Sequence, residues 1–261
     1  MSKPSADAID RESAPVETRL EGGICEIWLN RPSRLNAINR ALVHALHAAL
    51  LECMTSPEVA VIVLRGRGRA FCAGDDLKAM PAEYGRRDEL ERTVNTLQDV
   101  SRQIMFGDKP VVAAVHGWAV GGGLEWVLNC DLSIFTDDAQ GFFPEARLGL
   151  CATGGATALL PATMGHARAN ELLLTGRKFG ASEASTLGLA SMICPASELD
   201  ARVMECATYL RELAPEAVTR FKRYLGQSCR ETIEQALVAE ASLLLTLSDR
   251  LRQSGEFPQK V

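Results

Sequence analysis

Three consecutive glycines, Gly121–Gly123 in HGWAVGGGLEWVLN, stand between an apolar run and an amphipathic one. Each costs conformational entropy on folding, so the chain needs the room that missing side chains leave. A strand over 111–115, a turn over 116–121 and a helix from Gly122 would leave the first helical N–H groups unpaired and partly positive. Glycines there let an oxygen reach those amides, either of a phosphate or of a carbonyl that becomes an oxyanion. Glu125, three residues after Gly122, returns to the same helix face. A glutamate in a first helical turn also complements the dipole with no catalytic part. The loop FCAGDDLKAM (71–80) tips the balance, because it too follows a strand and can offer the N–H of Asp75 just after Gly74. Two amides converging on one oxygen make an oxyanion hole, each donor worth ~3 kcal/mol. Phosphate binding is weaker: no GK[ST] follows the glycines, and GxGxxG spacing is missing.

Strand-like runs at 24–30, 59–65, 110–116 and 131–136 alternate with helical patterns at 39–54, 88–106 and 122–129. Further helical stretches fall at 154–163, 165–174, 197–213, 215–225 and 230–252. Such alternation predicts an α/β fold with largely parallel strands. The chain divides into a polar N-terminal tail (1–18), a core (19–195) and a helical region (196–261). The apolar face of ALVAEASLLLTL in that last region needs a surface to bury against, in the same domain or a neighbouring subunit.

With 261 residues and a net charge of −5, the chain lacks the general attraction to nucleic acid or anionic membrane that a basic protein has. No apolar run reaches the ~18 residues of a membrane span. The eight cysteines are scattered without a CxxC pair, which favours free thiols in a reducing cytoplasm over disulfides or zinc. His44 and His47 share a helix face but lack a third ligand, so no metal is expected. His116, Trp28 and Trp118 read as structural. The basic turn RGRGR (65–69) is weak support for an anion site.

AFCAGDDLKAM, HGWAVGGGLE and FFPEARLGL, in that order, resemble the enoyl-CoA hydratase/isomerase (crotonase) superfamily. The likeness runs from EIWLNRPSRLNAIN to the closing SDRLRQSGEFPQK. It implies a spiral of repeated ββα units, with C-terminal helices that assemble a homotrimer or a dimer of trimers. It implies acyl-CoA thioester substrates, the thioester oxygen held by the amides of Asp75 and Gly122. Family hydratases hold water between two glutamates, which fall here on Glu125 and, twenty residues on, Glu145. Hydration of a 2-enoyl-CoA is the implied reaction; isomerisation of a 3-enoyl-CoA or another enolate-forming reaction of an acyl-CoA, and non-catalytic acyl-CoA binding, are the alternatives. By the dipole argument Glu125 should ionise more easily than Glu145. Arg34, Leu35, Ala73 and Lys78 match positions that contact CoA. Phe257 and Lys260 match a tail pair that, in relatives, contacts CoA on the neighbouring subunit. No cofactor is implied beyond the CoA of the substrate.

The likeness breaks after Glu145. LGLCATGGATALL places Ala152 for a usual proline, Thr153 for a glycine whose amide helps hold the water, and Leu159 for an arginine. Phe142, Phe143 and Trp126 add bulk near the glutamates. All these changes are expected beside the acyl group.

Overall fold

The computed structural model describes residues 14–259; Lys260 and residues 1–13 lie outside them. Six strands form the main sheet in the order β1-β2-β3-β4-β6-β9: Val16–Glu21, Ile24–Leu29, Val61–Gly66, Val111–Val115, Leu132–Thr136 and Met192–Cys194. All neighbours pair in parallel except β1 with β2, an antiparallel hairpin. The hairpin turns through Gly22 and Gly23. β1 therefore starts inside the segment 1–18 expected to be tail; its exposed VETRLE gave no buried-strand pattern to read.

Side-chain alternation sorts the main sheet into two faces. On β3, Ile62 and Leu64 join the large core that includes Leu42, Leu46 and Leu50 of α1 (Arg40–Thr55). Val61 and Val63 turn the other way, onto Leu199, Val203 and Ala207 of α9 (Leu199–Glu212). Arg65, one residue before the end of β3, is nearly buried, bonded to Glu26 at 2.6 Å and to Asp200, with its guanidinium over Trp28.

A second, smaller sheet runs beside the first. β5 (Trp118–Val120) pairs in parallel with β7 (Gln140–Phe142), which pairs antiparallel with β8 (Phe179–Gly180). Isolated parallel bridges, Cys72 with Ala119 and Ile38 with Asp75, extend the same ladder across two more passes of the chain. Each pass thus gives a strand to the large sheet, an extended stretch to the small one, then a helix. These are the ββα units of the spiral. The turn expected over 116–121 contains β5, a strand too short to announce itself without its neighbours.

The helices that follow are α2 (Met80–Glu83), α3 (Arg87–Phe106), α4 (Gly122–Asn129), α5 (Glu145–Leu148), α6 (Ala156–Met164), α7 (His166–Thr175) and α8 (Ala181–Thr186). After β9 and α9 comes α10, one helix over Pro215–Ser254 where two were expected. It buries Ile233, Leu237, Glu240, Leu244 and Ser248, spaced three or four residues apart, against α3 and α6. No described helix is long and apolar enough to cross a membrane, and no described trio of His, Cys, Asp or Glu could hold a metal.

Candidate active site

Where adjacent turns of the spiral meet, the small ladder ends. Ile38 donates to the Gly74 carbonyl at 2.7 Å and accepts from the Asp76 N–H at 2.8 Å. Successive peptide groups of an extended strand point to opposite sides, so the Asp75 N–H is turned away from Ile38. On the next rung Cys72 brackets Ala119, donating its N–H to the Trp118 carbonyl at 3.0 Å and accepting from the Val120 N–H at 2.9 Å. That rung sets Gly74 against Val120, with φ +78° and 3.0 Å between an added Cβ and the Val120 oxygen. Among the described residues, neither the Asp75 nor the Gly122 N–H donates a hydrogen bond, and both residues line one cavity.

The three glycines answer to three neighbours. Gly121 has φ +51°, and a Cβ there would lie 2.6 Å from Glu145 Oε1. Its N–H donates to Phe142 at 3.0 Å, which closes β7 onto the start of α4. A Cβ on Gly122 would meet only the tip of Ile38, at 3.0 Å. A Cβ on Gly123 would lie 2.5 Å from Cys72 Cβ and 2.6 Å from its Sγ. The glycine run therefore lets α4 start directly against the 72–75 strand and beside Glu145.

Both glutamates face this cavity, with Asp75, Tyr84, Cys151 and Thr153. Apolar Val43, Met80, Leu90, Val94, Leu97 and Leu244 share its wall with polar Asn39, Asp76, Glu83 and Thr93, and no Lys, Arg or His among the described residues lines it. Glu125 is fully buried, and its Oε2 accepts from Gly154 N–H at 2.6 Å, Thr153 N–H at 3.1 Å and Thr153 Oγ1 at 3.2 Å. Glu145 opens α5 and is also buried, but its Oε2 has no hydrogen-bond partner among the described residues. A buried orphan oxygen is costly unless a ligand completes it.

Electrostatics follow from the dry, acidic wall. Burial pushes the Glu145 carboxyl up to about 8, with Asp75 adding to it. Burial, then Glu145 and Glu240, push Glu125 well above the usual carboxylate range, while its bond from Thr153 holds it down. Removal from water, then Glu83 and Asp76, lift Asp75 to about 6. The helix dipole is thus not the main influence on Glu125; desolvation is, although three donors still favour its anion.

These shifts carry a sign. A carboxyl raised above its unfolded value of about 4 contributes stability that is complete at low pH and lost as pH rises through the folded value. The ligand-free protein is therefore expected to melt at lower temperature as pH is taken from 5 to 8. Glu145→Gln should flatten the upper part of that slope in calorimetry.

A groove adjoins the cavity and shares Asp75 and Asp76 with it. Arg34, Leu35, Ala73 and Lys78 all line this groove, together with Arg69 and Gln259. Trp118 and Phe142 meet edge to face at 5.9 Å, and Lys178 lies over both rings. Of the basic turn, only Arg69 reaches the groove; Arg65 is paired as above, and Arg67 bonds Glu17 at 2.7 Å. Phe257 packs on its own chain, against the cluster of Met80, Leu90, Val94 and Leu244.

The expected crowding of the acyl group is corrected. Phe143, Trp126 and Ala152 belong to the main core, Phe142 lines the groove, and of the departures only Thr153 lines the cavity. Their bulk fills the interior behind the site. Cys25, Cys53, Cys72 and Cys194 are buried free thiols, and Cys229 is exposed. His116 bonds the Gly68 carbonyl at 2.9 Å, a structural contact. Glu240, behind the cavity, escaped the sequence reading.

A spiral of ββα units with paired carboxylates at its ladder ends defines a class, and comparison identifies it. The family model described as enoyl-CoA hydratase/isomerase matches residues 19–255, and the chain belongs to that family. It is 34% identical over 252 residues to the peroxisomal Delta(3,5)-Delta(2,4)-dienoyl-CoA isomerase of Arabidopsis thaliana, covering 92% of this chain and 91% of that one. It is 33% identical over 246 residues to the carnitinyl-CoA dehydratase of Proteus mirabilis, covering 94% and 92%. An enoyl-CoA hydratase from Mycobacterium avium subsp. paratuberculosis superposes with TM-score 0.83 at 28% identity, covering 90% of this chain and 94% of that chain.

Proposed function

We propose that the chain hydrates the 2,3 double bond of a 2-enoyl-CoA thioester. The observation that carries the reading is Glu125 and Glu145 facing one cavity beside the undonated N–H groups of Asp75 and Gly122. The thioester oxygen accepts from those two amides, which stabilise the enolate that develops as water adds. Glu125, once ionised into the form its three donors favour, takes a proton from water as its oxygen bonds C3. Glu145, kept protonated by burial, gives its proton to C2. The proton gained by one carboxylate and lost by the other is restored through solvent. The CoA moiety lies along the groove of Arg34, Leu35, Ala73 and Lys78. Purified protein should bleach the conjugated enoyl absorbance of a 2-enoyl-CoA; no change across a chain-length panel would overturn the reading.

One observation favours a second reading. The amides of Thr153 and Gly154, in the loop where relatives hold water, are engaged by Glu125, and one relative is named an isomerase. A single mobile proton on Glu145 would then shift a double bond without water. Analysis of double-bond position after incubation with a 3-enoyl-CoA separates the two.

Phe221, Tyr224 and Leu225 stand 69%, 60% and 71% exposed on α10. We read this as a face covered by further copies in a homotrimer or dimer of trimers. Light scattering should report that mass, and the pair Phe221→Asp and Leu225→Asp should yield monomer; a monomeric parent would end this reading. The unbridged thiols support a reducing, cytoplasmic setting.

A further inference from the structure

The structure assigns a positioning role to a third buried glutamate, Glu240: from the C-terminal helix it fixes the loop that grips Glu125, and so aims the carboxylate that faces the cavity. Its kinetic test rests on the proposed hydration; its structural test does not.

Glu240 sits on the buried stripe of α10, four residues before Leu244, and only 3% of it is exposed. A carboxylate in that position is costly unless donors meet it. Three do. Its Oε2 accepts from Gly155 N–H at 2.8 Å, and its Oε1 from Thr157 N–H at 2.9 Å and Thr157 Oγ1 at 2.7 Å. The two preceding N–H groups, Thr153 and Gly154, go to Glu125. Two carboxylates from different helices, α4 and α10, therefore hold consecutive amides of one short turn. Such charge-assisted bonds are the strong ones.

The turn has little slack between them. Gly155 adopts φ +79° with Ile233 and Leu237 of α10 packed on it. An added Cβ on Gly154 would lie 2.9 Å from both Cβ and Oε2 of Glu125. A shift of Gly155 is thus passed to Gly154 and to the carboxylate it holds. Glu240 does not line the cavity, so it acts through the turn and not on substrate.

The charged groups around Glu125 are Glu145, Glu240 and Asp75, all acidic, and each makes its ionisation harder. Removing the Glu240 charge should let Glu125 ionise at lower pH.

Glu240→Gln keeps the size but turns an NH₂ toward at least one N–H donor. Turnover of a 2-enoyl-CoA is expected to fall roughly 10–100-fold, as misplacement of a catalytic group does, with KM within about twofold. The acid limb of the kcat profile should move to lower pH, and amide exchange across 153–157 should quicken. Val203→Ala, a cavity variant on the opposite face of the sheet, should lower the melting temperature yet leave kcat and the limb unmoved. A Glu240→Gln enzyme with kcat within twofold and an unshifted limb overturns the proposal, as does a Val203→Ala enzyme that reproduces both changes. If the parent protein turns over no enoyl-CoA, the hydration reading falls alone. Exchange then decides, and unchanged protection of 153–157 in Glu240→Gln ends the positioning role. Should that variant not fold, Thr157→Val removes one contact to Oε1 and must quicken exchange in the same turn; unchanged exchange there overturns the proposal too.

Discussion

Glu145→Gln is expected to lower turnover of a 2-enoyl-CoA by about 10²–10⁴-fold, the usual worth of a placed general acid or base, with little loss of acyl-CoA affinity. The substitution is nearly isosteric, and Oε1 lies where Gly121 leaves room for it, so the amide fits the same space. What it removes is a proton that burial keeps on the carboxyl up to about pH 8. Affinity should persist because, under the proposed function, main-chain donors hold the thioester and the neighbouring groove, away from Glu145, holds the CoA. Steady-state kinetics with titration calorimetry on a saturated acyl-CoA separate the two effects. A variant retaining a tenth of parental kcat would remove Glu145 from the mechanism.

Gly123→Ala should destabilise the fold by about 1–3 kcal/mol, the range for overpacking a tight interior, despite gaining up to ~1 kcal/mol of helix propensity. The clash wins because the added carbon meets Cys72 Cβ at 2.5 Å. A Cβ cannot rotate away, so the whole 72–75 strand must move. That strand carries Asp75, so acyl-CoA binding should weaken in parallel with the melting temperature. Gly180→Ala is the control, since nothing lies within 4 Å of the added carbon there. Equal melting temperatures for the two variants would show that α4 does not need this close approach.

The longer helices and the four inner strands of the main sheet were legible because each buries a continuous stripe: the Leu42, Leu46 and Leu50 spacing of α1 and the apolar run of β3 are local facts. β5, β7 and β8 were not legible. WAV, QGF and FG are strands only because the spiral lays them beside one another, and that pairing is set by residues far apart in sequence. Gly226 lies in the gap between the helical stretches expected at 215–225 and 230–252, and a glycine costs a helix up to ~1 kcal/mol. The helix continues because the Phe106 ring packs there, 3.2 Å from where a Cβ would sit. The glutamate pair was visible only through family resemblance, since nothing local links Glu145 to Glu125. Glu240 left a usable trace: a lone acid inside the apolar stripe of ALVAEASLLLTL, at core spacing. The expected crowding at Phe143 and Trp126 failed because nearness in sequence to a catalytic residue says nothing of which side of the backbone a ring takes.

The way residue 75 is held has one more implication. Its peptide hydrogen is aimed by the pairing of Gly74 and Asp76 with Ile38, and none of those bonds involves the Asp75 carboxylate. Amino-acid type at this position can therefore drift without disturbing the direction of that N–H. The direction of this N–H and the side chain that lines the cavity are separable parts of one residue, and a substitution at 75 can reshape the cavity while leaving the donor in place.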